Sequence, residues 1–483
     1  MSSLLEQAFS PDDFRRFGHE LIDLLANHLA HVEAGNGQTI PWQEPADSLT
    51  YWEHDAQQPL LQNPNELFKN IIERSTNLHH THYMGHQVAS PAPLAALSGL
   101  VVNLLNNGMA VYEMGMVSNP LEKIVTDLLA RRIGYDVNSS GFLTSGGTLA
   151  NLTALLTARA IKVSEDVWEK GTKSRLAVMV SEEAHYCIDR AARIMGLGTD
   201  GIIKVPVNER FQVRTDLLEQ LYQQAQGQGL QVFCVVGSAC STSTGAYDNL
   251  DAMSDFCKRH DLWFHVDGAH GGAVVFSEKY RHLVNGINRA DSVIVDFHKL
   301  LLTPALATAV VYQHDQDAYQ TFHQKAQYLW ANQASHDWFN SGKRTFECTK
   351  LMMSVKIYTL LRTYGEALFA ENVDMLYNLA RTFADLIRSK PNFEIAIEPE
   401  SNIVCFRYMG DKTFNFNELN SQIRRKILEK GNFYIVQTTL REQLYLRVSL
   451  MNPLTTIEDL NALLEEVLIL ATTYEHPQTQ TYR

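Results

Sequence analysis

The apolar residues of this chain fall into short uninterrupted runs that alternate with longer stretches of helical spacing. The runs cover residues 177–181, 231–237, 264–267, 293–296 and 306–312. Continuous apolar runs of this length predict strands that are buried on both faces, because a half-exposed strand would alternate between apolar and polar positions. Strands separated by helical stretches indicate the α/β fold class with a mostly parallel sheet. In such a sheet, ligands bind at the carboxyl ends of the strands.

The beginning of the chain predicts a long amphipathic helix. Residues 10–13 supply a capping hydroxyl, a proline for the first turn and two acids near the positive end of the helix dipole. Apolar residues then recur at helical spacing from Phe14 to about Glu33. We expect this apolar stripe to face the core of the protein.

Changes in composition along the chain predict four segments. Residues 1–90 form a helical N-terminal segment, residues 91–390 a large α/β domain, and residues 391–473 a small α+β domain. The last residues, 474–483, are polar and are expected to fray. Within the large domain, residues 313–345 are polar and aperiodic, which predicts a long loop of the kind that is usually functional or disordered.

The overall composition excludes several classes of protein. With 45% hydrophobic and 20% charged residues it is that of an ordinary globular protein, and the net charge of −13 argues against nucleic acid or an anionic membrane as a partner. No apolar run reaches the ~18 residues of a membrane span, and the N-terminus lacks a signal-peptide pattern. The six cysteines are scattered, which favours free thiols in a cytoplasmic protein.

Two predicted strands end in ionisable residues, Asp267 and Lys299. They lie 32 residues apart (299 − 267), about the length of one strand–helix–strand unit, so neighbouring strands would bring them to one ligand. Pyridoxal phosphate (PLP) requires this pair: a lysine that bonds its aldehyde and an acid against its pyridine nitrogen. Lys299 precedes an apolar run, and we expect its desolvation to lower its pKa and make it nucleophilic.

Two further motifs have both a structural and a functional interpretation. Gly146 and Gly147 precede an apolar helix that runs from Leu149 to about Ala160, a pattern typical of a tight turn or of an anion site at a helix N-terminus. Four histidines occupy residues 79–86, but their directions differ and no nearby Cys, Asp or Glu completes a coordination shell. We therefore predict no metal site.

Several motifs together resemble a known family. Residues 265–272 (HVDGAHGG) and 296–300 (DFHKL) are similar to signatures of the PLP-dependent group II amino-acid decarboxylases, which include glutamate, aromatic amino acid, histidine and 2,4-diaminobutyrate decarboxylases. The resemblance extends from about Phe14 to about Leu470. It implies the PLP fold-type I (aspartate aminotransferase-like) architecture and the cofactor pyridoxal 5'-phosphate.

The resemblance also implies roles for individual residues. Lys299 would bond the cofactor, and Asp267 would keep its pyridine nitrogen protonated. His185, which follows the run 177–181, would stack on the cofactor ring. The remaining residues that match the family's cofactor site are Gly147 and Thr148 at the phosphate, and Thr242, Ala269 and His298.

Two positions depart from the family pattern. Cys240 stands where many members have glycine, so we expect it to alter the edge of the pocket. Asp296 stands where many members have asparagine. Because a carboxylate beside the phosphate would repel it, we expect Asp296 either to turn away or to donate as a protonated acid.

For the substrate, the resemblance implies that His86, or alternatively Gln87, and Arg447 line the pocket. Tyr328, in the predicted loop, would donate a proton to the carbanion. In the family, the N-terminal helices pack against the partner subunit, which implies the same for residues 1–90 as the alternative to packing on the core. These helices and the loop imply a homodimer with shared active sites.

The predicted function is decarboxylation of an L-amino acid to the amine and carbon dioxide. A polar pocket that includes His270 favours a small polar or charged substrate such as 2,4-diaminobutyrate, aspartate or glutamate. Three alternatives remain: an aromatic amino-acid decarboxylase, an aldehyde-forming oxidative enzyme on the same scaffold, and a non-catalytic PLP-binding protein. Tyr328 argues against the aldehyde-forming enzyme, which typically has phenylalanine there.

Overall fold

The computed structural model describes residues 3–322, 337–410 and 414–475. The chain divides into two compact units. The large unit comprises Gln87–Ala380 and Ile397–Ile403, and the small unit comprises Met1–His86, Arg381–Ala396 and Val404–Arg483. The N-terminal and C-terminal segments, which the sequence assigns to separate regions, thus belong to the same unit.

The helices are α1 (Leu4–Ala8), α2 (Pro11–Glu33), α3 (Pro45–Asp55), α4 (Asn65–Glu73), α5 (Pro93–Leu105), α6 (Ser118–Ile133), α7 (Gly147–Lys162), α8 (Val167–Lys170), α9 (Tyr186–Ile194), α10 (Leu218–Gly227), α11 (Leu250–His260), α12 (Met353–Tyr364), α13 (Ala367–Ser389), α14 (Phe416–Lys430) and α15 (Ile457–Glu475). The strands are β1 (Ser140–Thr144), β2 (Leu176–Ser181), β3 (Ile202–Val205), β4 (Gln231–Ser238), β5 (Trp263–Asp267), β6 (Ser292–Asp296), β7 (Thr308–Tyr312), β8 (Phe393–Ile395), β9 (Ile403–Tyr408), β10 (Val436–Leu440) and β11 (Gln443–Ser449).

The large unit is built on a seven-stranded sheet with the order β1-β7-β6-β5-β4-β2-β3. Strands β2 to β6 pair in parallel, whereas β7 is antiparallel to both β1 and β6. Every residue of β5, β6 and β7 is buried, as their continuous apolar runs predict. The predicted α/β fold class with a mostly parallel sheet is confirmed.

Helix α7 packs against the centre of this sheet, on β4, β5 and β6. Its buried apolar face includes Ala150, Ala154, Leu155 and Ala158, and these join the side chains of the sheet in one core cluster. Small residues on this face let the helix approach the strands closely. As a result, the N-terminus of α7 lies at the sheet edge where β5 and β6 end.

The small unit contains a four-stranded sheet with the order β10-β11-β9-β8. Helix α14 packs on β11 and on α15. The N-terminal segment joins this sheet region through a backbone hydrogen bond, in which the Met84 N–H donates to the Tyr434 carbonyl at 2.9 Å. Long-range pairing of this kind unites segments that are far apart in the sequence.

The predicted N-terminal helix is confirmed as α2. The Ser10 hydroxyl accepts from the Asp13 N–H at 3.1 Å, and Pro11 occupies the first turn. The expectation that its apolar stripe faces the core is wrong within this chain: Phe14 is 52% exposed, Leu25 is 42% exposed, and α2 buries only Val32 among its own residues. The helix packs on α4, which is too short to cover the whole stripe.

The predicted loop 313–345 is described only at its two ends. These ends hold short 3₁₀ turns at Asp315–Tyr319 and Ser341–Lys343. Residues 323–336, which include Tyr328, lie outside the described residues, as does most of the predicted frayed tail. None of the helices in the described ranges is both long enough and apolar enough to cross a membrane.

Candidate active site

A cavity of about 270 Å³ lies in the large unit, at the edge of the sheet where β1, β2, β4, β5 and β6 end. The segments that follow these strands supply its lining. This is the edge at which open parallel sheets bind ligands. Eight residues that the sequence assigns to a cofactor site line this cavity: Gly147, Thr148, His185, Thr242, Asp267, Ala269, His298 and Lys299.

The N-terminus of α7 forms one wall of the cavity. Gly146 precedes the helix with a φ of +116°, which residues with a Cβ rarely adopt. An added Cβ at Gly147 would lie 3.3 Å from Asp296 Oδ1 and 3.6 Å from the Ala269 Cβ, so only glycine leaves the wall open. The first two N–H groups of a helix, here those of Gly147 and Thr148, have no acceptor within the helix. This wall therefore fits an anionic group such as the phosphate of PLP.

Asp267 presents its carboxylate to the cavity from the end of β5. Its Oδ1 accepts from the Ala269 N–H at 3.1 Å, and its Oδ2 accepts from the Asn151 side-chain amide at 3.0 Å. Two donors hold the carboxylate in one orientation. A fixed, negatively charged acceptor at this point fits the protonated nitrogen of a pyridine ring.

Lys299 enters the cavity beside Asp296, with 3.1 Å between its Nζ and Asp296 Oδ2. Burial by itself would lower the pKa of Lys299, but the carboxylates of Asp296 and Asp267 outweigh burial and raise this pKa above its ordinary value. The sequence-based expectation of a lowered pKa is therefore wrong. Lys299 carries a proton at neutral pH and must release it before its amine reacts with an aldehyde.

Asp296 does not turn away from the cavity, which is one of the two arrangements expected from the sequence. Its Oδ1 accepts from the Thr308 hydroxyl, and its Oδ2 is paired with Lys299. Asp296 also faces the N-terminus of α7, since its Oδ1 is the atom that an added Cβ at Gly147 would approach. The charge of Lys299 compensates for this carboxylate.

His185 lies at the N-cap of α9, where its Nδ1 accepts from the Cys187 N–H at 3.4 Å. Burial lowers the pKa of His185, and the nearby charge of Lys299 lowers it further, although the charge of Asp267 opposes both effects. The imidazole is therefore neutral at neutral pH. A neutral flat ring held at its Nδ1 is suited to stacking on an aromatic cofactor.

Two thiols line the cavity as well. Burial raises the pKa of Cys240 to about 12, and burial also raises the pKa of Cys187 far above its ordinary value. Both side chains are therefore neutral thiols and poor nucleophiles at neutral pH. Cys240 does occupy the pocket edge, as its place in the sequence predicts.

The predicted substrate residues His86 and Arg447 belong to the small unit. Arg447 is buried in β11, whereas His86 is exposed and has its ring 5.9 Å from that of Tyr434. Burial lowers the pKa of His86, and the charges of Arg447 and then Arg424 lower it further. The structure thus brings His86 and two arginines into one electrostatic neighbourhood. Tyr328 lies outside the described residues.

The other histidines of residues 79–86 have structural partners. His82 lies 3.1 Å from Asp459 Oδ1 through its Nε2, and its ring stacks on Phe433 at 4.0 Å. The His82 N–H donates to His80 Nδ1 at 3.1 Å. Within residues 3–322, 337–410 and 414–475, no group of three or more His, Cys, Asp or Glu side chains is arranged to hold a metal ion.

Sequence reasoning missed Asn151, the residue that donates to Asp267 from within α7. It lies one helical turn after Gly147, so helical spacing places both on the side of α7 that faces the cavity. That spacing was visible in the sequence. The hydrogen bond from Asn151 to Asp267 could not be predicted from the sequence, because it joins residues 116 positions apart.

Asp296→Asn is expected to strengthen the binding of PLP by roughly three- to tenfold, because it removes a negative charge beside the phosphate wall. The measurement is the dissociation constant of PLP by equilibrium ultrafiltration. Asp291→Asn, at the opposite end of β6, is the matched control. Unchanged or weaker binding in Asp296→Asn would show that Asp296 does not oppose the phosphate.

Comparisons with known proteins agree with this geometry. Residues 44–409 match the family model of the pyridoxal-dependent decarboxylase conserved domain. The chain is 26% identical over 477 residues to an aromatic-L-amino-acid decarboxylase of Bacillus atrophaeus, covering 96% of each protein. It is 28% identical over 429 residues to an L-2,4-diaminobutyrate decarboxylase of Acinetobacter baumannii, covering 85% of this chain and 83% of that protein. It is 29% identical over 451 residues to the cysteine sulfinic acid decarboxylase of Mus musculus, covering 89% and 90%.

Solved structures share the fold. The crystal structure of mouse CSAD in apo form matches with a TM-score of 0.88 and 25% identity, covering 96% of this chain and 99% of that chain. The structure of Oryza sativa TDC with PLP and tryptamine matches with a TM-score of 0.87 and the same coverage. At 20% identity, this second likeness concerns the fold alone.

Proposed function

This chain belongs to the pyridoxal-dependent decarboxylases, and we propose that within this family it acts on an L-amino acid with a small polar or charged side chain. The family resemblance predicted from the sequence is confirmed, as are the PLP cofactor and the class of enzyme, an amino-acid carboxy-lyase. The substrate is the part that we propose. One observation supports it: among the described residues, the lining of the cavity contains no Phe, Tyr or Trp.

The proposed roles of the lining residues rest on their positions in the cavity, and that of Tyr328 rests on the family resemblance. The N–H groups of Gly147 and Thr148 would bind the phosphate, and His185 would hold the ring by stacking on it. Asp267 would keep a proton on the ring nitrogen, and the Lys299 amine would hold the aldehyde carbon. When bound, pyridoxal phosphate supplies the electron sink for the electron pair that is left as the carboxylate departs. Tyr328 returns a proton to the α-carbon.

The residue types that line the cavity support this proposal. Its polar members include hydroxyls and an imidazole, for example Ser145, Ser241, Thr242 and His270. An apolar ring placed against these groups would displace water from them without offering a hydrogen bond in return, which costs affinity. A carboxylate, sulfinate or amine can form such hydrogen bonds. We therefore favour 2,4-diaminobutyrate, aspartate, glutamate or a similar polar amino acid over aromatic substrates.

Release of carbon dioxide from each of a panel of L-amino acids tests the proposed function. The panel includes the aromatic amino acids, 2,4-diaminobutyrate, aspartate, glutamate and cysteine sulfinate. Preference for an aromatic substrate would overturn the proposed substrate class. Amine and hydrogen peroxide are measured together, because aldehyde with peroxide indicates the oxidative reaction and the absence of all products indicates a non-catalytic PLP-binding protein.

We also propose that Arg447 binds a carboxylate of the substrate together with His86, with Gln87 as the alternative to His86. Arg447→Lys loses the bidentate guanidinium fork and is expected to raise KM by roughly 10- to 100-fold with little change in kcat. Steady-state kinetics on the best substrate of the panel measure both constants. The matched control is Arg407→Lys, a buried arginine paired with Glu394 at 3.1 Å in the same sheet. Equal kinetics in the two variants would show that Arg447 is structural.

A homodimer is the proposed assembly. In the single chain, a continuous set of large apolar side chains on α5 is exposed: Leu97, Leu100, Val101, Leu104 and Leu105. Exposed apolar patches of this kind mark interaction surfaces. A second copy of the chain is the occupant that we propose, and light scattering on the purified protein tests it. A mass of 54.6 kDa, that of one chain, would overturn this assembly.

A further inference from the structure

Strand β5 and its neighbours contain buried polar side chains to which the candidate cofactor site assigns no role. Side chains alternate between the two faces of a strand, so Trp263, His265 and Asp267 lie on the same face. Helix α7 packs on β5 and contributes Asn151 to this region. Asp267 and Asn151 line the cavity, whereas Trp263, His265 and Ser292 lie behind them.

A series of hydrogen bonds joins these groups. The Trp263 indole N–H donates to Ser292 Oγ at 2.9 Å, and Ser292 Oγ lies 2.8 Å from His265 Nδ1. His265 Nε2 lies 2.8 Å from Asn151 Oδ1. The Asn151 amide then donates to Asp267 Oδ2 at 3.0 Å. We call four of these residues the β5 relay: Trp263, Ser292, His265 and Asn151.

The chemistry of the end groups gives the relay one direction. An indole N–H only donates, and an ionised carboxylate only accepts. The Asn151 amide nitrogen uses both hydrogens, one toward Asp267 and one toward Cys187 Sγ at 3.2 Å, so Asn151 Oδ1 must accept. His265 Nε2 therefore carries a hydrogen, and the neutral ring accepts from the Ser292 hydroxyl at Nδ1. Each donor meets an acceptor.

The burial of these four residues excludes water as an alternative hydrogen-bond partner. Every member of the β5 relay is 2% exposed or less, so water does not replace any of these hydrogen bonds. Burial lowers the pKa of His265 to about 4, although the nearby charge of Asp267 opposes this shift. The ring is therefore neutral at neutral pH, which is the state that the direction of the hydrogen bonds requires.

We propose that the β5 relay holds the Asp267 carboxylate in a fixed position as the acceptor for the ring nitrogen of the cofactor, with His265 as the positioning residue. The relay supplies the amide donor at Asp267 Oδ2 and prevents the Asn151 amide from turning its oxygen toward the carboxylate. Polar groups behind a functional side chain commonly orient it in this way. The inference rests on the proposed role of Asp267 and extends that role to Asn151 at the cavity wall and to three residues behind it.

The first experiment examines the protein without cofactor or substrate. The expected result from ¹⁵N NMR of histidine-labelled apoprotein at neutral pH is that His265 is neutral with its proton on Nε2. The His265→Gln variant assigns the signal. A proton on Nδ1, or a charged ring, would reverse the relay and overturn the proposal, whether or not the protein decarboxylates any amino acid.

The second experiment uses two substitutions that differ in which ring nitrogen they replace. His265→Gln places an amide nitrogen near the position of Nε2 and retains a donor to Asn151. His265→Asn reaches only the position of Nδ1, toward Ser292, and loses that donor. Because the lost support acts on a charged acceptor, His265→Asn is expected to weaken PLP binding and to lower kcat on the order of tenfold each, with KM unchanged. His265→Gln is expected to retain most of both.

Tyr135→Phe is the matched control, since it removes a buried hydrogen bond to the Ala290 carbonyl in the same unit without touching the relay. A core histidine that only packs would give His265→Asn and His265→Gln the same PLP affinity and the same kcat, and that result would overturn the proposal. If His265→Asn does not fold, the proposal is tested by the His265 tautomer in the parent protein and by the PLP affinity of His265→Gln. Loss of PLP affinity in His265→Gln by tenfold or more would also count against it.

Discussion

Lys299→Ala is expected to lower turnover by roughly 10³-fold or more, because it removes the amine that we propose holds the cofactor aldehyde in position. The visible absorbance of lysine-bound cofactor should disappear as well. Absorption spectra of the protein mixed with PLP and steady-state release of carbon dioxide measure the two effects. The phosphate wall at the N-terminus of α7 is untouched, so noncovalent binding of PLP should persist.

Lys343→Ala is the matched control for Lys299→Ala. Lys343 is also buried in the large unit, but its Nζ is paired with Asp337 at 2.7 Å. Borohydride reduction of the parent protein with PLP, followed by peptide mapping, identifies the labelled lysine directly. A label on Lys325 or Lys343, or full activity of Lys299→Ala, would contradict the proposed role.

Asp267→Asn is expected to slow decarboxylation by roughly 10²- to 10³-fold, because it removes the negative charge that keeps the ring nitrogen protonated. The amide still accepts and donates hydrogen bonds, so the fold of β5 and the phosphate contacts should be retained. Single-turnover measurement of carbon dioxide release isolates this step from product release. The dissociation constant of inorganic phosphate, measured in parallel, should change little.

Asp291→Asn serves as the control for the Asp267 variant. Asp291 is a second carboxylate of the same sheet, whose Oδ2 accepts from the Phe264 N–H at 2.7 Å at the end of β5 away from the cavity. Its substitution changes the same charge without reaching the candidate site. Near-normal turnover in Asp267→Asn would mean that a different residue protonates the ring.

The contribution of the Lys299–Asp296 ion pair to the stability of the fold decreases at high pH. Its pKa is raised in the folded protein, so the ion pair with Asp296 stabilises the fold fully below the ordinary lysine pKa, and this contribution is lost as the pH rises through the raised value. Reaction with an aldehyde needs the deprotonated amine. Higher pH therefore favours attachment of the cofactor while it weakens this ion pair.

The sequence alone determined the sheet and the place of the cavity. Apolar runs predicted β2, β4, β5, β6 and β7, because a strand that is buried on both faces requires apolar residues at successive positions. The separation of Asp267 from Lys299 predicted neighbouring parallel strands, and β5 and β6 do pair in parallel. The flanking strands β1 and β3 were missed, since neither forms an apolar run as long as the central ones.

The tertiary structure alone decided the electrostatics and the supporting contacts. The pKa of Lys299 is raised rather than lowered because Asp296 and Asp267 both approach it, and the balance between burial and neighbouring charge depends on three-dimensional distances. The hydrogen bonds of Asn151 and His265 likewise join a helix to a strand far along the chain. Local patterns specify which residues are buried and where strands end, whereas the partners of a buried polar group are set by the packing of distant segments.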